Sequence, residues 1–296
     1  MRPCTGQIYH SRIIRGSLSR HTGSCEGNGV FMLFNTHRNK LHMISELFSL
    51  KAKKALVTGA SRGLGRAMAL ALSEAGADVV CAGSRPGSAD ETSRMIREKG
   101  RESWSVHGDL ATMEGVAQLA RDTIAAAGEM DILVNNAGTI ERYPAVEYPD
   151  EAWNRVIQTN LNSLFYLCRY FGKRMVDRGG GKIINTASLL SFSGGITVPS
   201  YAASKHAVAG LTKALANEWA ASNIQVNALA PGYFKTDNTR ALQDNKARFA
   251  EISARIPAGR WGEPEDLGGA VVFLASRASD YVNGHILTVD GGWMAR

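Results

Sequence analysis

Three residues about two-thirds of the way along this 296-residue chain have the types and spacing to move a proton together: Ser188, Tyr201 and Lys205. Tyr201 and Lys205 stand four apart in Tyr201-Ala202-Ala203-Ser204-Lys205, so on a helix their side chains leave the same face. An ammonium held beside a phenol favours the phenolate, whose acid otherwise titrates near ~10. A tyrosine tuned in this way can give or take a proton near neutral pH. A tyrosine and a lysine at helical spacing are also commonplace in proteins without a site, so the trio takes its meaning from the elements that place it.

From Lys53 onward, short aliphatic or β-branched runs alternate with longer helical patterns. The spacing predicts strands at 54–58, 78–82, 103–107, 132–135, 182–186, 224–229 and 285–289, and helices near 64–75, 89–99, 113–127, 153–177, 201–221 and 265–275. Strict alternation implies an α/β fold: a single doubly wound parallel sheet of Rossmann type with helices on both faces, occupying residues 43–296 as one domain. Ligands of such sheets sit beyond the carboxyl ends of the strands, so the charged, helical stretch 237–260 is placed either to cover a ligand or to lie as a solvated surface pair.

The first strand runs into Thr58-Gly59-Ala60-Ser61-Arg62-Gly63-Leu64-Gly65. Its glycines allow a tight turn, and a helix N-terminus offers free N–H groups to a pyrophosphate. Gly59, Ser61, Arg62, Gly63, Leu64 and Gly65 are therefore the expected dinucleotide loop. The second strand ends Gly83-Ser84-Arg85 without the carboxylate that would bind a ribose hydroxyl. Ser84, Arg85 and Arg62 suit a 2′-phosphate, which favours NADP over NAD. Asp109, followed by Leu110, is placed to accept from an adenine amino group, and Asn136, Ala137 and Gly138 form a turn suited to a cofactor ribose. Asn and Gly also make turns without any ligand.

Composition removes several classes. The net charge of +7 is concentrated in residues 1–42, where six basic residues face Glu26 alone, while 28 basic and 26 acidic residues share the remainder. That near-neutral body carries no basic stripe with interleaved aromatics, so no nucleic acid is expected. Cys4, Cys25, Cys81 and Cys168 form no Cys-x-x-Cys pair and have no histidine at metal spacing, so neither a metal nor a disulfide framework is expected, and a reducing, cytoplasmic compartment fits. No apolar run approaches the ~18 residues that span a bilayer. Residues 1–42 lack sustained apolar periodicity and read as a disordered N-terminal extension. An Arg- and Ser-containing transit peptide has the same look, as does translated upstream sequence with Met43 as the start.

Together the Thr58 to Gly65 motif, the Asn135 to Gly138 run, Ser188, Tyr201, Lys205 and Pro231-Gly232 followed by Thr236 resemble the short-chain dehydrogenase/reductase family in order and spacing over residues 47–296. The resemblance implies an NAD- or NADP-dependent oxidoreductase acting on CH–OH groups. Tyr201 would be the acid/base, Ser188 would hold the substrate oxygen, and Lys205 would lower the Tyr201 pKa and bind the nicotinamide ribose. Asn160 would anchor the proton relay. Pro231, Gly232 and Thr236 would contact the nicotinamide end.

Within the family, Met43-Ile44-Ser45, the stretch 182–205, the run 255–262 and the ending Val289 to Arg296 are similar to dehydrogenases of deoxy sugar acids of the 2-deoxy-D-gluconate or 2-dehydro-3-deoxy-D-gluconate type. Those proteins begin at about the position of Met43, which favours reading residues 1–42 as upstream sequence. This subgroup implies NAD, whereas Arg62 and Arg85 point to NADP. A sugar-acid substrate needs a cation for its carboxylate; Arg142 is the candidate, with Tyr233 and the loop 191–197 lining the pocket. The resemblance also implies a homotetramer, with the tail 293–296 reaching a neighbouring subunit's site. The rival activity is that of a 3-oxoacyl carrier-protein reductase, and the rival of another class is a non-catalytic dinucleotide-binding regulatory protein.

Overall fold

Strands that are buried on both faces require apolar side chains at successive positions, and Ala55, Leu56 and Val57 in the first strand or Val79, Val80 and Cys81 in the second supply them. The computed structural model describes residues 44–296, so the expected extension at 1–42 lies outside the described residues. After a single-turn helix α1 (Ile44–Leu47), the chain runs β1 (Lys54–Thr58), α2 (Gly63–Glu74), β2 (Asp78–Gly83), α3 (Asp90–Glu98), β3 (Ser103–His107), α4 (Met113–Ala127) and β4 (Ile132–Asn135). It continues through α5 (Asp150–Ile157), α6 (Ser163–Arg178), β5 (Gly181–Thr186), α7 (Pro199–Trp219), β6 (Ile224–Pro231), α8 (Arg240–Asp244), α9 (Lys246–Arg255), α10 (Gly268–Ala275) and β7 (Ile286–Val289).

The seven strands form one parallel sheet in the order β3-β2-β1-β4-β5-β6-β7. The order reverses between β1 and β4, which pair in parallel from Ala55↔Ile132 to Val57↔Val134, so the connections leaving these strands diverge and open a crevice above them. Alternating side chains feed two cores. Leu56, Val80, Ile183 and Val226 pack with α4, α6 and α7 through Leu119, Phe171 and Val208. Val57, Val79, Ile184 and Leu229 pack with α2, α3 and α10 through Met68, Ile96 and Val271. A third cluster of Leu189, Ile252, Ile256, Trp261 and Trp293 anchors the segment 237–260.

Two differences from the expected elements bear on the site. The helix expected at 153–177 extends from Asp150 to Arg178 and is interrupted by a π-helical turn, Gln158–Asn162, that carries Asn160. Such turns widen the helix locally and concentrate at functional positions. Strand β6 runs two residues past its expected end, because Pro231 still pairs with Val289 and the Gly232 N–H donates to the Val289 carbonyl at 2.9 Å.

Candidate active site

The strand ends open into a cleft of about 1390 Å³. Its floor is the glycine loop. Gly59 and Gly63 adopt φ of 67° and 53°, where a side chain is strained. A Cβ on Gly65 would lie 2.1 Å from the Gly59 carbonyl oxygen, so the helix start can approach the loop only because that atom is missing. No side chain caps α2 at Arg62, and its first N–H groups remain open to an anion. Asn136 braces this loop: its amide donates to the carbonyls of Thr58 (3.0 Å) and Gly59 (3.4 Å), while the N–H groups of Asn136 and Ala137 both donate to Thr58 Oγ1 at 3.0 Å. The residue expected at a cofactor ribose thus spends its amide on the loop, although Asn136, Ala137 and Gly138 all remain on the cleft wall.

Ser84 and Arg85 are exposed at the end of β2 and line the same cleft. Ser88, which sequence reasoning passed over, shapes their turn. Its hydroxyl donates to the Arg85 carbonyl at 2.7 Å and accepts the Arg85 N–H at 3.3 Å. Arg62 Nε lies 3.1 Å from Asp237 Oδ2, linking the glycine loop to the covering segment by an exposed pair. Asp109 accepts the Ala111 N–H through Oδ1 at 2.9 Å and lines the cleft beside Leu110.

At the inner end stand Ser188, Tyr201 and Lys205. Tyr201 is in the first turn of α7 with Lys205 one turn on, and the Lys205 ammonium lies 5.6 Å from the centre of the Tyr201 ring. Lys205 is 3% exposed, and its Nζ donates to the Thr186 carbonyl at 2.6 Å. Burial pushes the Lys205 ammonium down to about 8. Burial pushes the Tyr201 phenol up, against a hydrogen bond with the Ser188 side chain and the charge of Arg142, which both pull it back. The phenol is therefore not simply the lysine-lowered group that its spacing predicts; its counterweights are Ser188 and Arg142.

Asn160 lies behind the wall, 1% exposed. Its amide closes two bonds with Thr139, accepting from N–H at 2.8 Å and donating to the carbonyl at 2.9 Å, and donates to Ser204 Oγ at 3.2 Å. A Cβ on Gly138 would sit 3.2 Å from Asn160 Oδ1 and 3.9 Å from Lys205 Nζ, so these three residues meet at one point.

Arg142 reaches the cleft from a loop held on three sides. The Glu141 carboxylate accepts from Arg155 Nε at 2.5 Å, the Tyr143 N–H donates to the Thr197 carbonyl at 3.0 Å, and the Tyr148 hydroxyl lies 2.6 Å from Ser200 Oγ. Thr197 holds φ at 62°, an unfavourable value for a β-branched residue, as strained residues at functional loops often do. Tyr233 lines the opposite wall, packed on Trp261 and Trp293 at ring distances of 5.3 and 4.7 Å. Pro231, Gly232 and Thr236 complete this end. The covering segment contributes Arg248, Glu251, Ile252 and Arg255 from α9, which sequence reasoning covered only as a span. Trp293, in the tail 293–296, lines its own chain's cleft, with the Arg255 guanidinium 4.0 Å from its ring centre.

Among the described residues no group of three or more His, Cys, Asp or Glu is arranged to hold a metal, and no helix is long and apolar enough to cross a membrane. Cys81 and Cys168 are free and buried, their thiols pushed up to about 12 by burial.

A sheet with a switch-point crevice, a glycine cradle and a Ser-Tyr-Lys trio defines a nucleotide-binding oxidoreductase architecture. The family profile described as Enoyl-(Acyl carrier protein) reductase matches residues 59–294. The chain is 54% identical over 253 residues to a 2-dehydro-3-deoxy-D-gluconate 5-dehydrogenase of Bacillus subtilis (strain 168), covering 86% of this chain and 99% of the relative. It is 51% identical over 255 residues to the protein of the same name from Escherichia coli (strain K12), covering 86% and 100%. Among solved structures, a gluconate 5-dehydrogenase from Burkholderia cenocepacia J2315 in complex with NADP and tartrate superposes with a TM-score of 0.82 at 40% identity, covering 86% of this chain and all of that one. The chain belongs to the short-chain dehydrogenase/reductase family.

Proposed function

We propose that this protein is a nicotinamide-dependent oxidoreductase interconverting a secondary alcohol and a ketone on a deoxy sugar acid, of the 2-deoxy-D-gluconate or 2-dehydro-3-deoxy-D-gluconate type. The observation that carries this reading is the meeting of Tyr201, Ser188 and Arg142 at one end of a glycine-floored cleft. Arg142 has no carboxylate partner among the described residues, so its charge is available to a substrate carboxylate.

The residues fit a dinucleotide: the space a Cβ on Gly65 would fill is kept clear, and the open N-terminus of α2 matches a pyrophosphate. Gly59, Ser61, Gly63, Leu64, Gly65, Asp109, Leu110, Ala137, Gly138, Lys205, Pro231, Gly232 and Thr236 would hold it. A bound nicotinamide would supply the hydride donor or acceptor. The Ser188 hydroxyl holds the substrate oxygen, and Tyr201 Oη gives that oxygen its proton during reduction and removes it during oxidation. Lys205 keeps a positive charge near the phenol, and Asn160 fixes Thr139 and Ser204 around it.

Ser84, Arg85 and Arg62 support NADP as the cofactor, as does the NADP in the Burkholderia relative; the sugar-acid subgroup resemblance pulls toward NAD. Arg85→Ala is expected to weaken NADPH about tenfold in a fluorescence titration while NADH is unchanged, and equal losses would remove Arg85 as the phosphate reader. Assembly as a cytoplasmic homotetramer follows the family resemblance, and the exposed Trp153 and Phe165 on α5 and α6 support a subunit contact. The substrate reading is tested by a panel with product identification. Faster turnover of a 3-oxoacyl thioester than of a keto-deoxy sugar acid would overturn it in favour of a carrier-protein reductase.

A further inference from the structure

The reacting groups come from two elements: Ser188 from the turn after β5, Tyr201 and Lys205 from α7. One buried side chain joins them. Ser191, 7% exposed, accepts the Ser188 N–H at 3.2 Å and donates its own hydroxyl proton to the Lys205 carbonyl at 2.7 Å. We propose that Ser191 is a positioning residue, whose hydroxyl ties the Ser188 backbone to the catalytic helix and so sets the spacing among Ser188, Tyr201 and Lys205. The inference rests on the reading of these three residues as the reacting groups.

Two observations separate this role from simple stabilisation of a turn. The 3₁₀ turn Leu189–Ser191 has backbone bonds of its own, from Ser191 N–H to the Ser188 carbonyl at 2.9 Å and from Phe192 N–H to the Leu189 carbonyl at 3.0 Å. It therefore persists without the Ser191 hydroxyl, and what is lost is the tie to α7. In addition, the Leu190 N–H donates to Ser188 Oγ at 3.1 Å, so one lone pair is occupied and the hydroxyl proton is left to point into the cleft. Ser188 is thus held through both its backbone and its oxygen, and Ser191 relates that frame to the phenol. Small misplacements of reacting groups are costly: a shift of about 1 Å can lower turnover about 10²-fold.

Ser191→Ala, Ser191→Thr and Tyr201→Phe are compared with the unaltered protein in oxidation and reduction of a deoxy sugar acid, alongside dinucleotide titration by fluorescence. Ser191→Ala is expected to lower kcat about 10- to 100-fold with dinucleotide affinity within about twofold of the unaltered protein. Because Ser188 helps to hold the Tyr201 phenol down, the acidic, rising limb of the oxidation pH profile, where the phenol must lose its proton to act as base, is expected to move to higher pH. Ser191→Thr, which keeps the hydroxyl, is expected to restore both turnover and the limb. Unchanged turnover and pH limb in Ser191→Ala, with Tyr201→Phe inactive, would overturn the inference alone. Activity retained by Tyr201→Phe would overturn the underlying reading and the inference with it. If Ser191→Ala fails to fold, Ser191→Cys carries the same expectation in milder form, and a pH limb like that of the unaltered protein would overturn the proposal.

Discussion

Lys205 is both essential to the proposed chemistry and a burden on the fold, and the size of that burden can be measured. The ammonium is 3% exposed and titrates at about 8 against an ordinary 10.5. The folded protein releases this proton before the unfolded chain does, so below pH 8 the buried charge withholds roughly 3 kcal/mol of stability. Between pH 8 and 10.5 the unfolded chain holds more protons, and stability is regained as pH rises. Lys205→Met removes the charge but also the 2.6 Å bond to the Thr186 carbonyl, worth about 1 to 2 kcal/mol. The variant should therefore be about 1 to 2 kcal/mol more stable at pH 7 and inactive. At pH 10 the withheld term falls to roughly 1 kcal/mol, so the advantage should vanish. Urea unfolding followed by tryptophan fluorescence, at pH 7 and pH 10 and one fixed protein concentration, reads the difference. A stability gap that does not change with pH, or a variant less stable at pH 7, would refute the reasoning.

Gly65→Ala places a Cβ 2.1 Å from the Gly59 carbonyl and 2.5 Å from Asn136 Nδ2, and is expected to lower stability by about 1 to 3 kcal/mol and dinucleotide affinity more than tenfold. Gly210→Ala, on the exposed side of α7 with open space around it, should instead stabilise by about 0.5 to 1 kcal/mol in the same urea assay. Arg142→Gln should raise KM for a sugar acid about tenfold or more, consistent with about 1.5 to 3 kcal/mol for a charged hydrogen bond, and leave dinucleotide affinity unchanged. Because Arg142 also helps to hold Tyr201 down, the acidic, rising limb of oxidation should shift to higher pH in that variant.

The sheet was legible because buried parallel strands are written as contiguous apolar runs, and β1 and β4 have the bounds their residues predict; β3, Ser103–His107, was legible instead from its place in the alternation of strand and helix. The glycine cradle was legible for a related reason, since close backbone approach excludes every side chain and leaves glycine as its mark. The π-turn at Asn160 was hidden, because one extra residue in a helical turn barely disturbs a pattern with period 3.6. Asn136 shows a different limit: an amide in a turn satisfies backbone carbonyls as readily as a ligand, and its type does not say which. The α9 residues were missed as individuals because their approach to the cleft depends on how the segment 237–260 folds back over Tyr233 and Trp261, a long-range packing event with no local signature.

The central claim is that Tyr201 carries the proton at the end of a dinucleotide cleft. Turnover and dinucleotide binding measured together on Tyr201→Phe test it most directly, since this change removes one oxygen from the wall and leaves the glycine cradle untouched. Turnover is expected to fall about 10² to 10⁴-fold with dinucleotide affinity preserved; turnover within a few-fold of the unaltered protein would contradict the account.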